Sequence, residues 1–241
     1  MRLLGQALAQ QIDVELMGPA VGFSIDQLME LAGLSVAQAV AREYTPATHR
    51  SILVCAGPGN NGGDALVAAR HLRLFGFAPT VHFPKRPSKD LFVNLVKQCT
   101  AYGIPFVDEI ETPLKSSQLV LDGIFGFSFS GDIRAPFDSI IRTLKASPVP
   151  IVSIDIPSGW NVEHGNVGGI GLEPEMLVSL TSPKMGVRGY RFKHHYLGGR
   201  FVPPALAEKF SLNLPAFPGT DGIVRLDDVV EGEGPAESAK I

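Results

Sequence analysis

The sequence has little cysteine, little excess charge of either sign and no long apolar run. The only cysteines among the 241 residues are Cys55 and Cys99, which excludes a disulfide framework. Two cysteines without a cluster of histidines and cysteines also give little support to a metal site. The formal net charge is -3, so no large basic field is present to attract nucleic acid or an anionic membrane. No apolar stretch approaches the length of a membrane span. We therefore expect neither nucleic acid nor membrane as a partner.

Several catalytic and targeting signals are also missing. There is no G-x-S-x-G elbow, H-E-x-x-H or Walker sequence, which argues against lipase, metalloprotease and P-loop kinase chemistry. The first residues, MRLLGQALAQQIDVELM, lack the basic start and the unbroken apolar region of a secretory signal. They predict an amphipathic helix, and the expected compartment is the cytoplasm or the mitochondrion.

What is present is a regular alternation of short apolar runs and helical patterns. Ser24 and Gln27 fit a capping box before a helix, and SILVCAG from Ser51 predicts a buried strand. A helix is predicted over 64–75, and further strands and helices alternate as far as a strand near 176–179. This alternation predicts an α/β fold with a mainly parallel sheet covered on both faces. We expect one domain over 1–220 and a disordered acidic tail over 221–241.

Three loops, each following a predicted strand, carry the candidate chemistry. They are GPGNNGGD (57–64), DGIFGFSFSGD (122–132) and DIPSGW (155–160). In an open α/β sheet, ligands bind outside the carboxyl ends of the strands. The loops are therefore predicted to converge on one site, although they are far apart in the chain.

The first loop has glycines in G-x-G-x-x-G spacing between a strand and a helix, at Gly57, Gly59 and Gly62. This context indicates close approach of the backbone to a phosphate. A dinucleotide dehydrogenase has an acidic residue about 20 positions further on, but this chain has Lys85 and Arg86 there. These two side chains suit either a 2′-phosphate or a solvated turn.

The polar residues of the loops have alternative interpretations. Asp64 either caps the following helix or contacts a ligand, and Asn60 and Asn61 either form turns or offer amide groups to a ligand or a hard cation. Asp122 and Asp155 each end an apolar strand, where a carboxylate requires a partner. Two such aspartates beside the Asn-Gly loop favour a functional site.

The three loops, together with FSIDQLMELAGLSVAQAV and KHHYLGGRFVPPALAEKF, resemble the NAD(P)H-hydrate epimerase family. This is the YjeF N-terminal domain group, which includes the animal apolipoprotein A-I-binding protein. The resemblance runs from about residue 6 to residue 215. It implies a Rossmann-like three-layer α/β/α sandwich with N-terminal helices, and a homodimer. It also implies that the chain interconverts the R and S forms of hydrated NADH and NADPH, called NADHX and NADPHX, in nucleotide repair. An S-specific, ATP- or ADP-dependent dehydratase would then restore NAD(P)H.

The resemblance also assigns residues. It implies one bound K⁺ per subunit, with side-chain ligands Asn61, Asp122 and Ser158. It implies substrate contacts with Asp155 and with two loop segments, whose members are Asn60, Asn61, Gly62, Gly63, Asp64, Gly126, Phe127, Ser128, Phe129, Ser130, Gly131 and Asp132. Ser130 stands where many animal relatives have lysine, so a lysine acid is not available at that position.

For catalysis we expect Asp155 to be the main acid/base group and Asp132 to be a second candidate. Two other functions are compatible with the sequence. An NADP-dependent oxidoreductase would use the glycine spacing with Lys85 and Arg86, but no Tyr-x-x-x-Lys pair is evident. A non-catalytic binding protein would not need Asn61, Asp122 and Asp155 together.

Overall fold

The computed structural model describes residues 1–226, and its centre is an eight-stranded sheet with the order β3-β2-β1-β4-β5-β6-β7-β8. Neighbouring strands are parallel except for β7 and β8, which are antiparallel. The strands are β1 Ser51–Ala56, β2 Ala78–His82, β3 Phe106–Val107, β4 Leu119–Gly123, β5 Ile151–Ile154, β6 Met176–Leu180, β7 His194–Gly198 and β8 Ile223–Arg225. The helices are α1 Gln6–Met17, α2 Ile25–Glu43, α3 Asn60–Leu74, α4 Asp90–Ala101, α5 Glu111–Ser116, α6 Phe137–Lys145 and α7 Pro204–Lys209.

The central strands of the sheet are mostly apolar and are buried along nearly their whole length, because helices cover both faces. In β1, Ile52 and Val54 pack into one core with α2, α3 and α4. Leu53, on the opposite face, packs with Ile141 and Leu144 of α6 in a second core. A strand buried on both sides has no polar face, which explains the continuous apolar runs in the sequence. The predicted three-layer α/β/α arrangement is confirmed.

The two N-terminal helices pack in different places, since α2 joins α3 in the core on one face of the sheet and α1 lies in a separate core. The capping box that begins α2 is present, with Gln27 N donating to Ser24 Oγ at 3.2 Å and Ser24 N donating to Gln27 Oε1 at 2.8 Å. Helix α1 buries Ile12 and Leu16 in a separate core, with partners from α7 and the segment that follows it. This packing fixes the position of α1 beside the carboxyl ends of the strands.

The strand order places a crevice between β1 and β4. The chain proceeds outward from β1 through β2 to β3, and then returns to the other side of β1 at β4. Loops from adjacent strands diverge where the order reverses, and ligands bind in the resulting crevice. The loops at 57–64 and 122–132 both lie there.

Three details differ from the sequence-based expectation, and the first is strand β7 at His194–Gly198, which the sequence analysis did not predict. Helix α3 begins at Asn60 and not at Asp64, so most of the glycine loop is helical. Strand β8 pairs with β7 and lies inside the expected tail, while residues 227–241 are outside the described part of the chain. Among residues 1–226, no helix is both long and apolar enough to cross a membrane.

Candidate active site

The three sequence loops meet at the carboxyl edge of the sheet, as predicted. Asn61 Nδ2 of the first loop donates to Phe125 O of the second at 3.0 Å and to Ile154 O at 3.3 Å. Phe127 N of the second loop donates to Asp155 Oδ2 at 3.0 Å. Backbone and side-chain hydrogen bonds thus tie together segments that are nearly 100 residues apart in sequence.

Asp122 is a fully buried carboxylate whose partners are all neutral. It accepts hydrogen bonds from Ser153 Oγ at 2.7 Å, Ser158 N at 3.0 Å and Ile124 N at 3.2 Å. Ser158 Oγ donates to Asp122 Oδ1 at 2.5 Å, the same oxygen that accepts from Ile124 N. Burial raises the pKa of Asp122, and the hydrogen bonds from Ser158 and Ser153 oppose that shift. A carboxylate in this position would gain from a cation.

The atoms around Asp122 are suited to a hard cation. Asn61 uses its Nδ2 atom on two carbonyl groups, which directs its Oδ1 oxygen away from them. Ser158 Oγ receives a hydrogen bond from Phe125 N at 3.0 Å and adds a hydroxyl oxygen. Carboxylate, amide and hydroxyl oxygens form the donor set of hard cations such as K⁺. In residues 1–226 no group of three His, Cys, Asp or Glu residues is arranged to hold a metal.

The glycines of the first loop have different roles. A Cβ atom at Gly57 would lie 1.8 Å from Ile124 O, and one at Gly62 would lie 1.8 Å from Gly57 O. Both glycines therefore allow the loop to pack against backbone. Gly59 has open space around it and begins α3 without a side-chain cap. Gly62 N and Gly63 N donate to Gly59 O at 3.0 and 3.3 Å, which leaves the N–H groups of Asn60 and Asn61 at the helix start as those that could meet an anion.

The helix start at Asn60 settles two of the alternative interpretations. Asn60 and Asn61 are helical and do not form left-handed turns, since neither has positive φ. The N-cap is Gly59, so the capping alternative for Asp64 is wrong. Asp64 lies one turn inside α3 and is buried.

Asp155 forms a buried ion pair with Lys184. Lys184 Nζ contacts Asp155 Oδ1 and also donates to Leu180 O and Ser182 O at 3.0 Å each. The two side chains are 2% and 5% exposed, so water does not screen the pair strongly. Asp155 has φ of 68°, a conformation that is uncommon for residues other than glycine.

A cavity of about 410 Å³ opens beside this ion pair. It lies between α1, α2, the start of α3 and the carboxyl ends of the strands. Its lining combines apolar side chains from the helices with a small set of polar groups, which is typical of a small-molecule site. The polar and charged members are Gln6, Gln10, Asp13, Asn60, Asn61, Asp64, Ser128, Asp155, Thr181 and Lys184.

Two further carboxyl groups in the lining have raised pKa values. Burial raises the pKa of Asp64 well above its usual range, and the charges of Asp155 and Asp13 add to the shift. Burial also raises the pKa of Asp13 to about 6, an effect that Lys184 opposes and Asp155 increases. Clusters of ionisable groups with perturbed pKa values in a cavity are typical of active sites.

The structure divides the expected substrate contacts into two groups. Those that line the cavity are Asn60, Asn61, Asp64, Gly126, Phe127, Ser128 and Asp155. Those outside its lining are Gly62, Gly63, Phe129, Ser130, Gly131 and Asp132. Asp132 is exposed in the 122–132 loop, and its catalytic role stays a prediction.

Lys85 and Arg86 are both engaged within the protein. Lys85 Nζ donates to Ala135 O at 2.8 Å, and the Arg86 guanidinium lies 4.6 Å from the centre of the Phe106 ring. Both residues are exposed, and these contacts favour the solvated turn over recognition of a 2′-phosphate.

Asp13, Thr181 and Lys184 were not among the residues predicted for the site. The segment TSPK places Thr181 and Lys184 directly after a strand, which is the signal that identified the other loops. Asp13 had no such signal, because it lies on a helix that only tertiary packing brings to the cavity.

Comparisons with known proteins show which proteins this chain resembles. Residues 25–186 match the family described as YjeF-related protein N-terminus. A Cryptococcus neoformans var. neoformans protein named NAD(P)H-hydrate epimerase is 50% identical, over 93% of this chain and 97% of its own length. A Puccinia graminis f. sp. tritici protein of the same name is 48% identical, over 97% of each chain. The crystal structure of the yeast protein YNL200c superposes with a TM-score of 0.88 and 41% identity, over 94% of this chain and all of that one.

Proposed function

Because the chain belongs to the family of YjeF-related protein N-termini, we propose that it is an NAD(P)H-hydrate epimerase acting at the cavity beside Asp155. In this activity the R and S forms of hydrated NADH and NADPH are interconverted during nucleotide repair. The observation that carries the assignment to this site is the convergence of the three loops on one cavity. The high identity to relatives of that name over nearly their whole length supports the reaction.

The reaction requires one carbon to change configuration. The reduced ring carries a hydroxyl group on the carbon next to nitrogen. The nitrogen lone pair forms a C=N bond as the C–O bond breaks, and the departing oxygen takes a proton and leaves as water. Water then bonds to the opposite face of the planar iminium ion and gives up a proton. The site therefore needs acid/base groups and negative charge near a transient cation.

Asp155 meets these needs through its fixed position. Its Oδ1 atom contacts Lys184 and its Oδ2 atom accepts from Phe127 N, so the carboxylate cannot rotate freely. A carboxyl group held in this way loses little freedom when the substrate binds. Negative charge at the cavity wall stabilises the iminium ion as it forms.

The start of α3 is suited to the phosphates of the dinucleotide. Gly59 and Asn60 are exposed at the helix N-terminus, and no side chain caps it. Unpaired N–H groups and the helix dipole attract anions at this position. Because Asn60 also lines the cavity, a substrate can extend from the helix start towards Asp155.

We also propose one K⁺ bound by Asn61, Asp122 and Ser158. The buried Asp122 carboxylate with only neutral partners supports this assignment. Bound there, the ion would supply positive charge that holds the three loops and the substrate phosphate together. The same side chains already connect those loops through hydrogen bonds.

The function is tested by chromatography of separated R and S hydrates, with and without the protein, in potassium buffer. We expect the wild-type protein to exchange the two forms faster than a protein-free blank. Asp155→Asn should lower the rate by about 10²-fold or more, which is the range for a lost acid/base group. Asp138→Asn is the matched control, since Asp138 forms only a partly exposed ion pair with Arg142. A normal rate for Asp155→Asn would contradict the assignment.

The remaining proposals concern assembly and context. We also propose a homodimer, which the resemblance of the chain to the epimerase family implies. Sedimentation of the purified protein tests it. We propose that an ATP- or ADP-dependent dehydratase consumes the S form, and that both proteins act in the cytoplasm or the mitochondrion.

A further inference from the structure

We propose that Asp13 of α1 is a second catalytic carboxyl group, which exchanges a proton with the substrate on the ring face turned away from Asp155. The inference rests on the proposed epimerase function and assigns the hydrated nicotinamide ring to the cavity between α1 and the strand ends. Asp13 lies outside residues 25–186, the segment that matches the family.

The position of Asp13 is set by the packing of α1. Ala9, Asp13 and Met17 recur every fourth residue and line the cavity, whereas Ile12 and Leu16 are buried in the core shared with α7. The helix therefore presents one face to its own core and the adjacent face to the ligand space. A carboxyl group on that second face is held at the cavity wall without being part of the core.

The carboxyl groups of Asp13 and Asp64 have no hydrogen-bond or ion-pair partner within the described residues. Asp64 is only 9% exposed and lines the same cavity. An unpaired polar group that is buried to this extent is costly unless a ligand satisfies it. Asp13 on α1 is half-buried and opens onto the same cavity, so the two carboxyl groups together suit a ligand with hydrogen-bond donors, such as the ring hydroxyl or the carboxamide.

The charges of the cavity favour the ring over the phosphates. Asp13, Asp64 and Asp155 contribute three carboxyl groups, and Lys184 contributes the one ammonium group in the lining described. The negative charge of this cavity wall repels a pyrophosphate and stabilises the iminium ion. The phosphates therefore bind at the exposed start of α3, at the edge of the cavity.

Backbone strain at the same wall supports a binding role. Asp155 and Thr181 have φ values of 68° and 65°, and both line the cavity. Positive φ is a rare conformation for a β-branched residue such as threonine. Strain of this kind is concentrated where a structure positions groups for a ligand.

Two carboxyl groups on opposite faces complete the proton balance. Asp13 gives its proton to the departing hydroxyl oxygen, which leaves as water when the C–O bond breaks. A second water bonds to the other face and releases a proton to Asp155. In the reverse reaction Asp155 is the acid and Asp13 is the base. When two turnovers in the same direction follow each other, the proton passes from Asp155 back to Asp13 through water or the neighbouring carboxyl groups. No oxidant or other co-reactant is needed.

The charged groups that act on Asp13 are Lys184 and Asp155, and Asp13 in turn acts on Asp64. Burial raises the pKa of Asp13 to about 6, with Lys184 opposing the shift and Asp155 increasing it. The group therefore holds a proton in part of the molecules near neutral pH, as a donor must.

The test compares wild type, Asp13→Asn, Asp13→Ser and Glu15→Gln in the R and S exchange assay across pH 5 to 9. Glu15 is the matched control, because it lies on α1 but pairs with Lys209 away from the cavity. We expect both Asp13 variants to lose about 10²-fold or more in kcat with a much smaller change in KM. The alkaline fall of the wild-type rate with a midpoint near pH 6 should also be absent in Asp13→Asn.

The outcomes separate this inference from the function itself. If the wild-type protein does not exchange the two forms, the proposed function fails. If wild type exchanges them and a folded Asp13→Asn or Asp13→Ser does so at the normal kcat, Asp13 is not catalytic. A change confined to KM, or an unaltered pH profile, would also overturn the inference.

Discussion

Replacing Asp13 by asparagine should make the protein more stable at neutral and alkaline pH. The side chain keeps its size, but the folded state no longer has to ionise a carboxyl group in a buried, acidic cavity. In the wild-type protein, burial raises the pKa of Asp13 from 3.8 to about 6. The folded state thus binds this proton more tightly than the unfolded chain does.

The size and sign of the effect follow from that difference. Two pKa units correspond to roughly 3 kcal/mol at about 1.4 kcal/mol per unit. Below about pH 4 the carboxyl group is protonated in both states and contributes nothing. As pH rises from 4 to above 6, the unfolded chain ionises first, and the wild type loses up to that amount of stability. Asp13→Asn avoids this loss.

Urea unfolding of wild type and Asp13→Asn at pH 4 and pH 8 measures the difference directly. Other groups titrate in the same way in both proteins, so their contributions cancel when the two are compared. We expect a gain of roughly 3 kcal/mol at most at pH 8, and almost none at pH 4. Glu15→Gln should change stability by less than about 1 kcal/mol, because its ion pair is partly exposed. A destabilised Asp13→Asn at pH 8 would refute the reasoning and indicate a structural role.

Three other predictions concern the rest of the site. Gly62→Ala should destabilise the protein by roughly 1–3 kcal/mol or more because its Cβ would meet backbone at 1.8 Å, whereas Gly59→Ala should change unfolding by about 0.5 kcal/mol. Lys184→Met leaves Asp155 buried without its cation, and urea unfolding should show a loss of roughly 3–5 kcal/mol. Potassium chloride should raise the melting temperature relative to N-methylglucamine chloride, and Asp122→Asn should abolish that difference; an equal increase in the variant would contradict the K⁺ site.

The sequence predicted the layers of the fold and the edge at which the loops meet. Those features follow from local patterns, since apolar runs and helical periodicity depend on neighbouring residues. The start of α3 was placed four residues late because glycines and asparagines are typical of loops. Here Gly62 lies inside the helix and packs against the Gly57 backbone, where a Cβ atom would be 1.8 Å from Gly57 O. Strand β8 was missed because three residues carry too little periodicity to identify a strand.

The contribution of α1 to the site depends on a contact that no local pattern records. Asp13 reaches the cavity only because Ile12 and Leu16 pack with Leu206 and Phe210 of the α7 region, nearly 200 residues further along the chain. Both partners in this contact lie outside residues 25–186. The ends of the strands thus supply Asp155, Lys184 and the loops. The packing of the N-terminal helix α1 against the C-terminal helix α7 positions the second carboxyl group, that of Asp13. A site assembled in this way has its two acid/base groups on separately packed elements, so the packing of α1 against α7 sets the distance across which the ring must fit.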